Sequence, residues 1–124
     1  MGLDFLQCDA SWSYSGFNDF RRRLARDIGF DLNEMMGFSK GFHWQDGYAP
    51  GTRPWSEIDD PIVPLLNHSD CEGELSPQEC AQIAPRLREL VTPWPEHDYD
   101  RHNALVLAEA MGRCACDGEA LVFC

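Results

Sequence analysis

The sequence predicts a small, mainly helical α+β domain that spans residues 1–124 and whose short N- and C-terminal strands pair. Apolar residues recur at helical spacing through the middle of the chain, and a short apolar run stands near each end. The length of 124 residues is close to that of one ordinary domain. We therefore expect one hydrophobic core.

The first part of the chain is predicted to hold a strand and an amphipathic helix. Residues 3–8 form a short apolar run, which is typical of a strand. A helix is predicted over 15–28, with Ser15 as its N-cap and Gly29 at its end. Phe20 belongs to the apolar face of this helix and is expected to be buried. The face comprises Phe17, Phe20, Leu24 and Ile28, and the basic residues Arg21, Arg22, Arg23 and Arg26 fall largely off it.

The next segment is poor in regular structure. A weaker helical piece is predicted over 31–36, and residues 37–58 are then interrupted repeatedly by Gly and Pro. This second stretch reads as a long loop whose aromatic side chains pack back on the domain. Loops of this length are often functional, which stays open as the alternative. The aromatic residues are Phe38, Phe42, Trp44, Tyr48 and Trp55.

Two helices are predicted after this loop. Asp60-Pro61 reads as a helix start, and a short helix follows through residues 62–66. Ser76-Pro77-Gln78-Glu79 has the pattern of a capping box with Pro at the first helical position, and it predicts a helix over 76–91. Pro85 lies inside this helix and is expected to kink or break it.

The chain is predicted to end with a helix and a strand. The helix covers residues 96–116 and stops at Gly118, and the strand covers 119–123. Because an isolated buried strand leaves its backbone groups unpaired, the two terminal strands are expected to pair with each other.

The charge balance restricts the partners of the chain. There are 21 acidic against 10 basic residues, for a formal charge of −11. This excludes direct nucleic-acid binding, which needs a basic surface, and attachment to an anionic membrane. It permits a cation or a basic protein as the partner. One such protein is a nucleic-acid-binding protein, whose groove this acidic chain would fill in place of the nucleic acid. Solubility is the alternative reason for such acidity.

The location is predicted to be cytoplasmic. The sequence has no apolar run long enough to span a membrane and no pattern of a signal peptide. The six cysteines are accordingly expected to be reduced, and most of them to be small buried hydrophobic residues.

Residues 68–79 carry a pattern similar to the calcium loop of an EF-hand. With Gly73 at the sixth place of the loop, the ligand positions are filled by Asp70, Glu72, the Glu74 carbonyl, Ser76 and Glu79. His68 occupies the first place instead of Asp, and imidazole is a poor ligand for a hard cation. The alternative is a tight turn followed by the capped helix start, in which case no calcium binds.

A zinc site is a further alternative in the same segment. His68, Cys71 and Cys80, with Cys114 or Cys116 as a further ligand, are of the types that zinc prefers, but their spacing matches no standard zinc pattern. No catalytic residue is assigned, because the chain has no phosphate-binding glycine loop, no GxSxG and no HExxH. The sequence therefore predicts no enzyme and no required cofactor.

One segment carries a family resemblance. The run Asn67-His68-Ser69-Asp70-Cys71-Glu72-Gly73, followed by Leu75-Ser76 and Glu79-Cys80, resembles a motif of a family of small uncharacterised bacterial proteins. The opening residues 1–5 and the stretch 84–87 are similar to the same family. The resemblance implies no activity, cofactor or partner.

Two functional hypotheses follow. The first is a small acidic protein-interaction module, of the inhibitor or immunity type in bacterial or phage conflict. Its predicted partner-binding residues are Glu57, Asp59 and Asp60, which open a stretch from 57 to 79 with seven acids and no Lys or Arg. The alternative is a divalent-metal-binding module built on residues 68–79.

Overall fold

The computed structural model describes residues 2–41 and 44–124, in which long helices cover one face of a four-stranded antiparallel sheet. This confirms the predicted mainly helical α+β fold. The elements are β1 (Gly2–Phe5), β2 (Cys8–Ser13), α1 (Tyr14–Ile28), β3 (Ser39–Lys40), β4 (Ala49–Pro50), α2 (Val63–Leu66), β5 (Gly73–Leu75), α3 (Pro77–Val91), α4 (Tyr99–Asp117) and β6 (Leu121–Phe123). Short 3₁₀ turns lie at Leu32–Glu34 and Trp55–Glu57.

The two ends of the chain pair as predicted. In the sheet order β2-β1-β6-β5, β1 and β6 are antiparallel neighbours, with Phe5 opposite Phe123. The N–H of Cys124 donates to the Asp4 carbonyl at 2.8 Å, and the N–H of Asp4 donates back to the Cys124 carbonyl at 3.2 Å. The pairing with β1 therefore extends to Cys124, one residue beyond the end of β6.

The sheet has two strands that the sequence did not predict. The predicted strand over 3–8 is a hairpin, since β1 ends at Phe5 and β2 starts at Cys8. The turn between them is Leu6-Gln7, which lacks the Gly or Asn that usually reveals a tight hairpin in a sequence. Strand β5 lies inside the predicted calcium loop, and of its residues only Leu75 is buried.

Helix α1 begins earlier than predicted. Its N-cap is Ser13, whose Oγ accepts a hydrogen bond from the N–H of Gly16 at 3.0 Å. Ser15, the predicted N-cap, lies instead within the first turn. Gly29 ends the helix with φ of +108°, as its position predicts.

The later helices are close to their predictions. Helix α3 continues through Pro85, so of the predicted kink or break the break does not occur. Pro85 has no N–H to donate to the carbonyl of Ala81 in the preceding turn. Both residues are exposed, so water can hydrogen-bond to that carbonyl. Helix α4 starts at Tyr99 rather than at 96, because Asp98 is its N-cap.

The long loop predicted over 37–58 contains the β3–β4 hairpin and a 3₁₀ turn. Phe38 and Trp55 pack against the core with ring centroids 6.0 Å apart, as predicted for the aromatic residues of this segment. Trp44, in contrast, is 81% exposed. The prediction for Phe42 lies outside the described residues.

The core lies between the sheet and the long helices. Phe20 is fully buried, as predicted, with its ring stacked on Trp12 at 4.7 Å and edge-on to Trp94 at 6.1 Å. None of the helices in the described ranges is long and apolar enough to cross a membrane.

Candidate functional site

The segment 68–79 is a turn, a short strand and a capped helix start. The N–H of Glu79 donates to Ser76 Oγ at 3.1 Å, and the N–H of Ser76 donates to Glu79 Oε1 at 2.9 Å. This is the capping box predicted from the sequence. The Glu79 carboxylate, placed twelfth in a calcium loop, is thus engaged in holding the helix start.

The proposed calcium ligands are not gathered around one point. The Glu74 carbonyl faces the His68 ring, and residues 73–75 are extended in β5 rather than wrapped around a centre. Within residues 2–41 and 44–124, no group of three His, Cys, Asp or Glu side chains is placed to hold a metal ion. Among the predicted metal residues, Asp70, Glu72, Glu74, Ser76 and Glu79, the structure joins only Ser76 and Glu79.

The residues of the zinc alternative do not form a group placed to hold a metal ion within the described ranges either. Burial raises the pKa of the Cys80 thiol to about 11, and the neighbouring Cys114 adds to the rise. A thiol in such surroundings is a poor source of the thiolate that zinc binds. Cys71, in contrast, is exposed, and all six cysteines of the chain are free.

His68 closes the turn through both of its ring nitrogens. Its Nδ1 lies 3.0 Å from the Ser69 carbonyl and its Nε2 lies 3.0 Å from the Glu74 carbonyl. The ring also stacks on Phe123 of β6 with centroids 3.8 Å apart. Gly73 has φ of +99°, and a Cβ there would lie 3.1 Å from His68 Cε1. The imidazole therefore covers the glycine and packs the turn against the sheet.

Arg21 of α1 is a central residue of this region that the sequence analysis did not identify. The residue is only 3% exposed, although it was predicted to fall off the buried face. Its Nη1 donates to the Leu66 carbonyl at 3.4 Å and to the His68 carbonyl, and its Nη2 donates to Asn18 Oδ1. The guanidinium also lies over the ring of Phe17, at 4.7 Å from the centroid. The spacing of four from Phe17 to Arg21 was the available signal for its burial.

The charge of Arg21 is poorly compensated. Burial lowers the pKa of its guanidinium to about 10, and the carboxylate of Asp70 opposes this change from a distance. No carboxylate of the described residues lies within 4.0 Å of its nitrogen atoms, the limit for an ion pair. Its Nε has no hydrogen-bond partner among residues 2–41 and 44–124.

Arg21 borders an open polar cleft of about 710 Å³. The cleft lies between α1, residues 37–41 and residues 67–70. Its lining includes Asn18, Arg22, Asn33, Asn67, Ser69 and Asp70.

The predicted partner-binding residues do not form a free acidic patch. Asp60 accepts from Arg86 at 2.8 Å, its side chain is only 8% exposed, and its hydrogen bonds are the chief cause of the raised pKa of Arg86. Glu57 accepts from Arg53 at 3.0 Å. Asp59 is exposed. Two of the three carboxylates are thus already matched by arginines of the chain itself.

The strand-bearing segments of the molecule carry acids without bases. The segments that contain β1, β2, β5 and β6, residues 2–13, 67–76 and 119–124, hold six acids and no Lys or Arg. The long helices α1, α3 and α4 hold eight of the ten basic residues together with seven acids. The strand-bearing segments therefore carry a net charge of −6 and the long helices a net charge of +1, while the remaining segments hold eight acids and two bases.

The outward face of the sheet presents three of these six acids to solvent. Asp4, Asp9 and Glu74 are exposed and alternate with buried strand residues whose side chains face the helices. Leu6 in the β1–β2 turn is 70% exposed beside them. We name the set Asp4, Leu6, Asp9 and Glu74 the acidic sheet face.

Comparison with known proteins found no matching family model, no matching curated protein and no matching solved structure. The resemblance of residues 67–73 to a family of small bacterial proteins stays a prediction.

Proposed function

We propose that this protein is a protein-interaction module, of the inhibitor or immunity type, which binds a basic surface of a partner protein through the acidic sheet face. The observation that carries the proposal is the acidic character of the strand-bearing segments, which hold six acids and no base, whereas the long helices are near neutrality. Three of these acids are exposed on the strands, and an exposed acidic face attracts a basic partner and accelerates association.

The edges of the sheet favour contact through its face. At the β2 edge, the Ser11 carbonyl accepts from Tyr99 Oη at 2.8 Å and from Asn103 Nδ2 at 3.0 Å. At the β5 edge, the Glu74 carbonyl faces His68 Nε2. Because these side chains occupy backbone groups of both edge strands, an added partner strand would have to displace them.

The chemistry of the face suits arginine and lysine side chains. Asp4 and Asp9 lie on the neighbouring strands β1 and β2, and Glu74 lies on β5, two strands from β1, or about 10 Å by the spacing of strands. One basic helix or loop can span this distance. Arginine makes paired hydrogen bonds with such carboxylates, and the exposed Leu6 offers an apolar contact among them. A nucleic-acid-binding protein fits this partner class, since the carboxylates would then take the place of phosphates.

The experiment compares two double variants of equal net charge. Asp9→Lys with Glu74→Lys reverses two charges on the acidic sheet face, at edge strands that tolerate Lys. Glu96→Lys with Asp117→Lys reverses two exposed charges outside that face. Each pair changes the formal charge from −11 to −7. The probe is a fluorescent deca-arginine peptide, with its Kd measured at several salt concentrations.

We expect the sheet-face pair to weaken binding about tenfold more than the control pair, since it replaces two attractions by two repulsions. It should also reduce the salt dependence of binding more strongly. Equal losses in the two variants would mean that net charge alone holds the peptide, and the proposal would then fail. Circular dichroism establishes that both variants are folded.

A further inference from the structure

The buried Arg21 lacks the carboxylate partner that Arg23, Arg53 and Arg86 possess. Arg23 meets Asp98 at 2.8 Å, Arg53 meets Glu57 at 3.0 Å and Arg86 meets Asp60 at 2.8 Å. Arg21 is the most buried of the basic residues and has only carbonyl and amide oxygens as hydrogen-bond partners in the described ranges. A buried charge without a counter-ion is costly, and acids outnumber bases two to one in this chain. The missing anion is therefore unexpected.

Two side-chain amides in the cleft present hydrogen-bond donors beside Arg21. Asn18 accepts from Arg21 through its Oδ1, and Asn33 accepts from Arg22 Nε through its Oδ1 at 3.0 Å. Since an arginine donates only, these contacts set the orientation of both amides and leave their N–H₂ groups to donate elsewhere. Two guanidinium groups and two amide N–H₂ groups thus border one cleft.

We propose that this cleft binds a small molecule through a carboxylate group, which supplies the counter-ion that Arg21 lacks. A guanidinium and a carboxylate match in shape and in the number of hydrogen bonds. Asp19 and Asp70 also line the cleft, and their charges oppose a second negative charge on the ligand. A singly charged carboxylate is therefore favoured over a doubly charged phosphate. The lowered pKa of Arg21 is consistent with this proposal, because its charged form would gain from a bound anion.

The test observes the Arg21 Nε–H directly by NMR on the uniformly ¹⁵N-labelled full chain. Its resonance is assigned through contacts with the rings of Phe17 and Phe38, which lie 4.7 and 5.1 Å from the guanidinium carbon. Acetate, benzoate, inorganic phosphate and chloride are titrated at constant pH and ionic strength. We expect a saturable shift of this resonance and of the Asn18 side-chain amide with a carboxylate, and none with chloride.

Two substitutions that each remove one negative charge are compared in the same titration. Asp70→Asn removes a negative charge from the cleft and should lower the Kd for acetate several-fold. Asp46→Asn removes an exposed charge outside the cleft and should leave that Kd unchanged. Arg21→Lys keeps the charge but loses the planar fork, so a folded variant should lose the saturable shift of the Asn18 amide.

The wild-type titration decides the proposal even if Arg21→Lys does not fold. Absence of a saturable shift with both carboxylates would overturn it and leave Arg21 with only its bonds to the Leu66 and His68 carbonyls. Saturation by phosphate alone would also overturn it, as would equal effects of Asp70→Asn and Asp46→Asn on the Kd.

Discussion

Two serines near the start of α1 differ in their contribution to stability. Ser13 caps the helix through its Oγ, whereas Ser15 is exposed in the first turn. Ser13→Ala should therefore cost about 0.5–2 kcal/mol of the free energy of unfolding. Ser15→Ala should change it by less than about 0.5 kcal/mol. Urea denaturation of both variants measures the difference, and a larger loss for Ser15→Ala would contradict the assigned cap.

Phe20 should be among the most sensitive core positions. It is fully buried between Trp12 and Trp94, and removal of its ring leaves a cavity. Phe20→Ala should lower the free energy of unfolding by about 3–5 kcal/mol. Leu6→Ala is the control, since Leu6 is 70% exposed and should be close to neutral. An unchanged denaturation midpoint for Phe20→Ala would show that the packing of α1 is wrong.

The environment of Arg21 could not be predicted from the sequence. The spacing of Arg21 from Phe17 places it on the buried face of α1. Because charged side chains are seldom buried, Arg21 was nevertheless predicted to lie largely on the exposed side. The carbonyls that bind it belong to residues 45 and 47 positions later. No local pattern can reveal partners at that distance. The apolar positions of α1 were predictable because their periodicity is local.

At the scale of elements, the helices were predictable and the short strands were not. Caps and glycine stops reveal the ends of α1, α3 and α4, because these signals lie within a few residues of each helix end. Strand β5 has three residues with one buried side chain, and its pairing with β6 depends on a distant part of the chain. The same residues fitted a calcium loop by spacing alone.

The start of α3 can be tested for metal binding. Because the Glu79 carboxylate accepts from the N–H of Ser76, we expect the same melting temperature with excess calcium, with zinc and with chelator. Glu79→Gln should remain folded, since Gln also serves in a capping box. A rise in melting temperature with calcium that Glu79→Gln abolishes would contradict the capped turn and restore the metal-binding module.

The contact between α1 and α4 should make stability depend on pH. Burial acts to raise the pKa of Asp98, but hydrogen bonds from Arg23 and from the N–H of Arg101 outweigh it, and the pKa is lowered on balance. The folded pKa thus lies below the unfolded one. The stabilisation is fully present above the unfolded pKa, which is about 4, and is lost as the pH falls through the folded pKa.

Asp98→Asn isolates this effect, because Asn is also a good N-cap. The variant should be less stable than wild type at pH 7 and should lose less stability between about pH 5 and pH 2. Urea denaturation across this range measures both. Asp46→Asn, at an exposed position, is the control. An acid-induced loss equal to that of wild type would contradict the role of the Arg23–Asp98 pair.

At the scale of the whole molecule, fold and charge act together. The net charge of −11 was evident from composition, but its distribution was not. In the predicted acidic stretch from 57, Glu57 and Asp60 pair with arginines, whereas Asp4, Asp9 and Glu74 come from separate segments of the chain and lie on one sheet. Only the pairing of the chain ends and the unpredicted strands brings these segments together.

The most direct test of the central claim maps where a basic ligand binds. Amide resonances of the ¹⁵N-labelled protein are followed during titration with the deca-arginine peptide. We expect the largest shifts within residues 2–13, 72–75 and 119–124, which hold the acidic sheet face and the strands beside it, and small shifts in α1 and α3. Shifts spread evenly over the helices, or centred on them, would contradict binding through the sheet.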